Sequence, residues 1–321
     1  MSGAGPAGRF SEPAPLLAAP RAPVPPGAEA LWFEGAGGLR LRAALFQPTA
    51  TLRGSVVLSP GRTEFIEKYF EVARELQGRG WVVLVHDWRG QGLSEREHPD
   101  RLAGHAAGFL GYLADFERLL DRFADRLPKP WIALAHSMGG GLTTLALARG
   151  LADRFAGVVL TAPMFAVTPR VAPLLMAGAC AAQIATGGSR RYALRLEPGG
   201  HGTRLTRDEK RLERWRGQIK AHPDLALGGL TWGWLDMAMR LTRALSPQTL
   251  AGLHIPALVF RASVEDQVDN RVMERVVGAM PDARLIDVPD SWHEVMMERD
   301  EARALFWREF DAFAERVAPR P

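Results

Sequence analysis

Apolar residues in this chain gather into short blocks of five or six, closed by glycine, proline or charged residues, and between the blocks they recur at helical spacing. Residues 55–59, 81–86, 131–135, 157–161 and 255–260 are such blocks, which is the pattern of strands buried on both faces, and 283–288 reads as the next strand. The spacing in 65–79 and 109–126 predicts amphipathic helices. A hairpin turning at Gly35-Ala36-Gly37-Gly38 precedes the first block. Strands that alternate with helices imply an α/β fold with a mainly parallel central sheet and helices on both faces.

The alternation stops between 163 and 247, where helical patterns with Gly and Pro breaks take over. This stretch reads as a helical cap inserted into a core made of 29–162 and 248–321. Residues 171–189 carry no charge, yet Pro173 and the Ala/Gly content make them weak as a membrane span. A cap helix that lines an acyl-chain site or touches a bilayer surface fits better. Trp215, Trp232 and Trp234 lie in the same stretch, for packing or substrate contact. Residues 1–28 are rich in Ala, Pro and Gly without the basic start and apolar run of a signal peptide, and read as a flexible leader.

Composition narrows the function. With 321 residues, 47% of them hydrophobic, the chain can bury one large core. The single cysteine, Cys180, excludes an internal disulfide and reads as a small buried apolar residue. The eight histidines include no HExxH pair, so neither a metal nor another cofactor is expected. Lys and Arg total 40, of which only Lys68, Lys129, Lys210 and Lys220 are lysines, and 36 acidic residues leave a net charge of +4. Dispersed arginines of this kind do not predict nucleic-acid binding. The small positive excess favours anionic membrane surfaces weakly.

The chemistry centres on Ala135-His136-Ser137-Met138-Gly139-Gly140, which follows a strand and opens a small-residue helix. A tight turn there exposes the Ser137 hydroxyl and aims the Met138 backbone N–H at a reacting carbonyl. Ala135 stands where the GxSxG pattern has its first glycine. A serine hydroxyl needs a base, and His293 arrives in the loop after strand 283–288. The base needs an orienting acid, and the loop after strand 255–260 offers Glu265, Asp266 and Asp269. Each candidate sits at the carboxyl end of a predicted strand, where open α/β sheets bind ligands.

Five segments carry a resemblance: Ser59-Pro60-Gly61-Arg62-Thr63-Glu64, Asp87-Trp88-Arg89-Gly90-Gln91-Gly92-Leu93-Ser94, the Ser137 turn, Val268-Asp269-Asn270-Arg271 and His293-Glu294. With them the chain resembles the α/β-hydrolases of the monoacylglycerol lipase and lysophospholipase group. Pro60-Gly61, where monoacylglycerol lipases have His-Gly, is similar to the bacterial lysophospholipase L2 branch. The resemblance implies Glu265 as the acid, ahead of Asp266, and leaves Asp269 as a helix cap. It also implies the Arg62 backbone N–H as the second oxyanion donor. The Arg62 side chain is left either to pair with Glu64 or to meet a substrate phosphate. The segment 87–94 is expected to be a shaped turn, and His136 a packing residue.

The expected activity is that of a serine hydrolase cleaving a fatty-acyl ester of a lysophospholipid or monoacylglycerol through an acyl-enzyme. A peptidase or acyltransferase on the same triad, and a non-catalytic binding protein, are the alternatives. The expected partner is a lipid or acyl-ester small molecule. The expected location is cytoplasmic, with peripheral contact at the inner membrane open to it.

Overall fold

The computed structural model of the protein describes residues 10, 12–168, 172–199 and 204–320. Eight strands form one twisted sheet: β1 (Ala28–Glu34), β2 (Arg40–Phe46), β3 (Gly54–Ser59), β4 (Trp81–His86), β5 (Trp131–His136), β6 (Gly157–Thr161), β9 (Ala257–Ala262) and β10 (Ala283–Val288). Their spatial order is β1-β2-β4-β3-β5-β6-β9-β10. The β1–β2 hairpin and the β2–β4 pairing are antiparallel, and every later pairing is parallel.

Successive strand residues face opposite layers, and in the interior strands both layers are apolar, which is why their sequence blocks show no alternation; the edge strand β10 keeps Arg284 and Asp287 exposed. Val57, Leu84, Ala133, Val158 and Val259 pack on one face with α2 (Leu110–Phe123), α3 (Ser137–Ala146) and α8 (Asn270–Val277). Val56, Val83, Ile132, Val159 and Leu258 pack on the other with α1 (Phe70–Gly78) and α9 (Asp300–Val317). The parallel strands therefore all end on one edge of a three-layer body. That edge carries the site.

Two element boundaries differ from the sequence pattern for local reasons. The strand read at 255–260 starts at Ala257, because Pro256 has no N–H for a ladder and instead accepts from Val158 through its carbonyl (2.9 Å). The helix read at 65–79 opens as a tight 3₁₀ turn, Ile66–Tyr69, before α1. Its first N–H, at Ile66, is taken by Asp87 Oδ1 (2.9 Å).

Between β6 and β9 the chain leaves the main sheet for α4 (Pro173–Ala185), α5 (Glu209–Ala221), α6 (Trp232–Ala244) and the short α7 (Pro247–Ala251). A two-stranded pair, β7 (Tyr192–Leu194) with β8 (Leu230–Thr231), also lies here and has no counterpart in the sequence reading. Strands of three and two residues carry too little pattern to be read. Gly104 N–H donates to Gly229 and Gly228 N–H to Leu102 (both 2.8 Å), and Arg211 pairs with Glu71 of α1 (2.9 Å), so this segment is tied to the core. Within the uncharged stretch Val171 lies outside the described residues. Among those described, no helix is long and apolar enough to cross a membrane.

The described part of the leader makes contacts with the core. Residues 12–27 are laid along the core: Ala14 N–H donates to Ala30 (2.8 Å), Pro15 accepts from Arg42 (3.0 Å), and Leu17 N–H donates to Glu67 (3.2 Å). An Ala/Pro-rich chain lacks an amphipathic signal, but its backbone groups satisfy edge groups of β1 and the core. Residues 1–9 and 11 lie outside the described residues.

Candidate active site

Ser137 stands at the junction of β5 and α3 with φ +49°, a left-handed conformation that costs a serine about 1–3 kcal/mol. The turn is held tightly. A Cβ at Gly139 would stand 2.3 Å from the Pro60 carbonyl oxygen and 2.5 Å from that of Ser59, so only glycine lets the elbow close against the loop after β3. Ser137 is buried to its last tenth, and its carbonyl accepts from Met164 N–H (2.8 Å).

His293 Nε2 lies 2.8 Å from Ser137 Oγ, and its Nδ1 lies 2.7 Å from Glu265 Oε2. Residues far apart in sequence are thus brought into one hydrogen-bonded line. Burial pulls the His293 imidazole down, but the charge and hydrogen bond of Glu265, with Glu294 and Glu64 behind it, hold it above its ordinary value. Burial pushes Glu265 up, yet His293 and the Gln267 and Val268 amides outweigh that and keep it below the usual carboxylate range. Glu265 is therefore ionised and fixed at neutral pH. Asp266 turns away and pairs with Arg204 (3.1 Å), while Asp269 caps α8 by accepting from Arg271 N–H (2.9 Å). Val268 is buried beneath the loop.

The loop after β3 runs beside the serine: a Cβ on Gly61 would come within 3.1 Å of Ser137 Cβ. Glu64 Oε2 accepts from the Gly61 amide, and Gln91 Oε1 accepts from the Thr63 amide (3.0 Å) while its Nε2 donates to the Gly61 carbonyl (2.9 Å). Arg62 sits between two clamped neighbours. Among the described hydrogen bonds none uses the Arg62 or the Met138 amide, which leaves both N–H groups for an oxyanion. Of the two readings for the Arg62 side chain, the Glu64 ion pair does not form. Arg62 Nη2 donates instead to the Gly228 and Gly229 carbonyls (2.7 and 2.9 Å), and Glu64 is occupied by Lys68, Tyr69 and Gly61.

The network around Lys68 escapes the sequence reading. Lys68 Nζ lies 2.7 Å from Glu64 Oε1 and 2.5 Å from Glu294 Oε1, all buried, and Tyr69 OH donates to Glu64 (2.5 Å). Burial raises Glu64, but Lys68 and His136 bring it down to about 2, whereas burial and the repulsion of Glu64 leave Glu294 raised despite Lys68. The available signals were the i,i+4 spacing of Glu64 and Lys68 and the rarity of lysine in this chain. Glu64, His136 and Glu294 converge closely enough to hold a metal ion, but the Lys68 ammonium already bridges the two carboxylates.

His136 packs against His293, ring centroids 4.8 Å apart, with its Nδ1 3.0 Å from the Thr161 carbonyl; burial pushes it down to about 4. Asp87 opens the 87–94 turn, receiving the Ile66 and Leu93 amides (both 2.9 Å) and pairing with Arg42 (2.7 Å). Arg42 also pairs with Glu67 (2.7 Å), and all three side chains are fully buried. These groups shape the loops around the serine. Cys180 is buried.

A family described as "Serine aminopeptidase, S33" matches residues 50–300. The chain is 32% identical over 277 residues to "Lysophospholipase L2" of Escherichia coli (strain K12), covering 78% of this chain and 77% of that one. It is 28% identical over 279 residues to "Monoacylglycerol lipase" of Mycolicibacterium smegmatis, covering 85% and 92%. Among solved structures, a soluble variant of monoglyceride lipase from Saccharomyces cerevisiae in complex with a substrate analog superposes with a TM-score of 0.71 at 17% identity, covering 90% of this chain and 96% of that one.

Proposed function

The chain belongs to the Serine aminopeptidase, S33 family of α/β-hydrolases, and from that premise we propose how it acts as a serine hydrolase on fatty-acyl esters of lysophospholipids or monoacylglycerols. The observation that carries the reading is the unbroken line Glu265–His293–Ser137 at 2.7 and 2.8 Å, beside two free backbone N–H groups. His293 takes the Ser137 proton as Oγ attacks the acyl carbonyl. The Arg62 and Met138 amides receive the oxyanion. Collapse of the tetrahedral intermediate expels the alcohol, which takes its proton from His293 and leaves an acyl-Ser137 ester. Water, deprotonated by the same imidazole, then releases the fatty acid. Glu265 holds the tautomer and balances the imidazolium.

Residues 163–247 act as a cap over this edge. The support is their position between β6 and β9 and the apolar α4, on which Leu174 is 87% and Leu175 71% exposed. Two adjacent large apolar side chains in water fit a surface that meets lipid, and they favour peripheral association with a membrane.

A hydrolysis panel of long-chain lysophospholipids, long-chain monoacylglycerols, short p-nitrophenyl esters and aminoacyl amides tests the reading. Long-chain esters should give the highest kcat/KM. Preference for aminoacyl amides would move the activity to the peptidase class, and inactivity throughout would favour a binding protein.

A further inference from the structure

Buried cations in this chain come with carboxylates. Arg42 has Glu67 and Asp87, and Lys68 has Glu64 and Glu294. Arg62, half-buried beside them, has none. Its Nη2 is spent on two neutral carbonyls, its plane lies over Trp234 (5.2 Å), and its Nε is buried with no partner. Among the described residues no carboxylate lies within ion-pair distance of it. Burial pushes its guanidinium down to about 10, with only Tyr112 pulling the other way. Arg96, which reaches the same loop at the Ala226 carbonyl (3.4 Å), likewise has a buried Nη1 without a partner. A half-buried guanidinium with one buried, unpartnered donor and no counter-charge is a site short of one anion.

Resting on the lipid-ester reading above, we infer that the Arg62 side chain binds the phosphate of a lysophospholipid headgroup, while the backbone N–H of the same residue faces the reacting carbonyl. The geometry suits that division. The span from a residue's amide to its guanidinium is comparable to that from a lysophospholipid's ester carbonyl across the glycerol carbons to its phosphate. A planar guanidinium matches phosphate oxygens and is less strongly hydrated than an ammonium. Room is kept for it: a Cβ at Gly104 would stand 2.8 Å from Nη2 and 3.3 Å from Nε. A monoacylglycerol has the same ester and glycerol but no anion. Arg62 therefore sets headgroup selectivity.

The test compares kcat/KM for 1-palmitoyl lysophosphatidylethanolamine and 1-palmitoylglycerol in wild type, Arg62→Met and Arg62→Lys. The lysophospholipid-to-monoacylglycerol ratio should fall roughly 30-fold in Arg62→Met, mainly through KM, with part retained by Arg62→Lys. A wild-type readout is independent of the variants' folding: glycerol 3-phosphate should slow fluorophosphonate labelling of Ser137, while glycerol should not. Protection by inorganic phosphate as strong as by glycerol 3-phosphate would overturn the headgroup assignment in favour of a free-phosphate site. An unchanged ratio alongside sustained monoacylglycerol turnover, or an equal fall for both substrates, would overturn the inference alone and leave Arg62 as a fastener of the 228–229 loop. Ser137 labelling with no turnover of either lipid would overturn the lipid-ester reading and this inference together.

Discussion

Replacing Lys68 by methionine keeps the bulk of the side-chain stem and removes the ammonium that bridges Glu64 and Glu294 at 2.7 and 2.5 Å. Breaking a buried ion pair from one side costs about 3–5 kcal/mol, because the partner is left charged and desolvated. Two carboxylates are stranded here, so the upper part of that range applies when both stay ionised. The cost has an escape route. Glu294 is already raised by burial and by Glu64, and without Lys68 it rises further and takes up a proton. A carboxyl whose folded value lies above its unfolded value makes the folded state bind more protons, so stability falls as pH rises between the two. The Lys68→Met deficit should therefore be small near pH 4.5 and grow toward pH 8, reaching about 5–8 °C in Tm. Adding Glu294→Gln should recover part of it and flatten the pH dependence. Thermal melts of the three proteins from pH 4.5 to 8 decide it. A deficit that shrinks with rising pH, or stays under about 1 kcal/mol throughout, would refute the claim that Lys68 balances a buried acid pair.

Glu265→Gln should lower turnover by about 10³–10⁴-fold while Asp266→Asn changes it little, compared at equal folded fraction; the reverse ranking would give the orienting role to Asp266. His293 must be neutral to accept the Ser137 proton, and its value is raised, so the acid limb of kcat/KM should lie above the ordinary histidine range. In Glu265→Gln the raising charge is lost while burial remains, so the residual activity's acid limb should move to lower pH; movement upward would contradict the assigned cause. Leu174→Glu with Leu175→Glu should reduce co-sedimentation with anionic vesicles and the advantage of long-chain over short esters, since each buried methylene is worth about 0.8 kcal/mol.

Strand blocks of the sheet could be read from the sequence because parallel strands buried on both faces need uninterrupted apolar runs, as in residues 131–135. Ser137 and His293 were legible for a related reason. Each lies in the turn or loop that such a strand runs into, at the edge where the chain must turn. Glu265 was legible only through family resemblance, since three carboxylates share the loop and geometry alone separates them. The Lys68 network was not legible, because Glu64, Lys68 and Glu294 meet across 226 residues of sequence and satisfy one another out of water. The same holds for the clamp on Arg62. Gln91 sits in a turn motif whose pattern says nothing of the loop it grips. Residues 12–27 carried no periodicity and still dock, held by backbone hydrogen bonds that composition does not record.

An acyl-Ser137 intermediate can be caught by mass spectrometry of the enzyme quenched in acid during turnover of 1-palmitoyl lysophospholipid or 1-palmitoylglycerol. A palmitoyl adduct should be confined to the peptide containing Ser137 and absent from Ser137→Ala, whose hydrolysis should fall by roughly a thousandfold or more while its melting temperature is retained. Hydrolysis that survives in Ser137→Ala, or an acyl adduct on any other residue, would contradict the acyl-Ser137 mechanism.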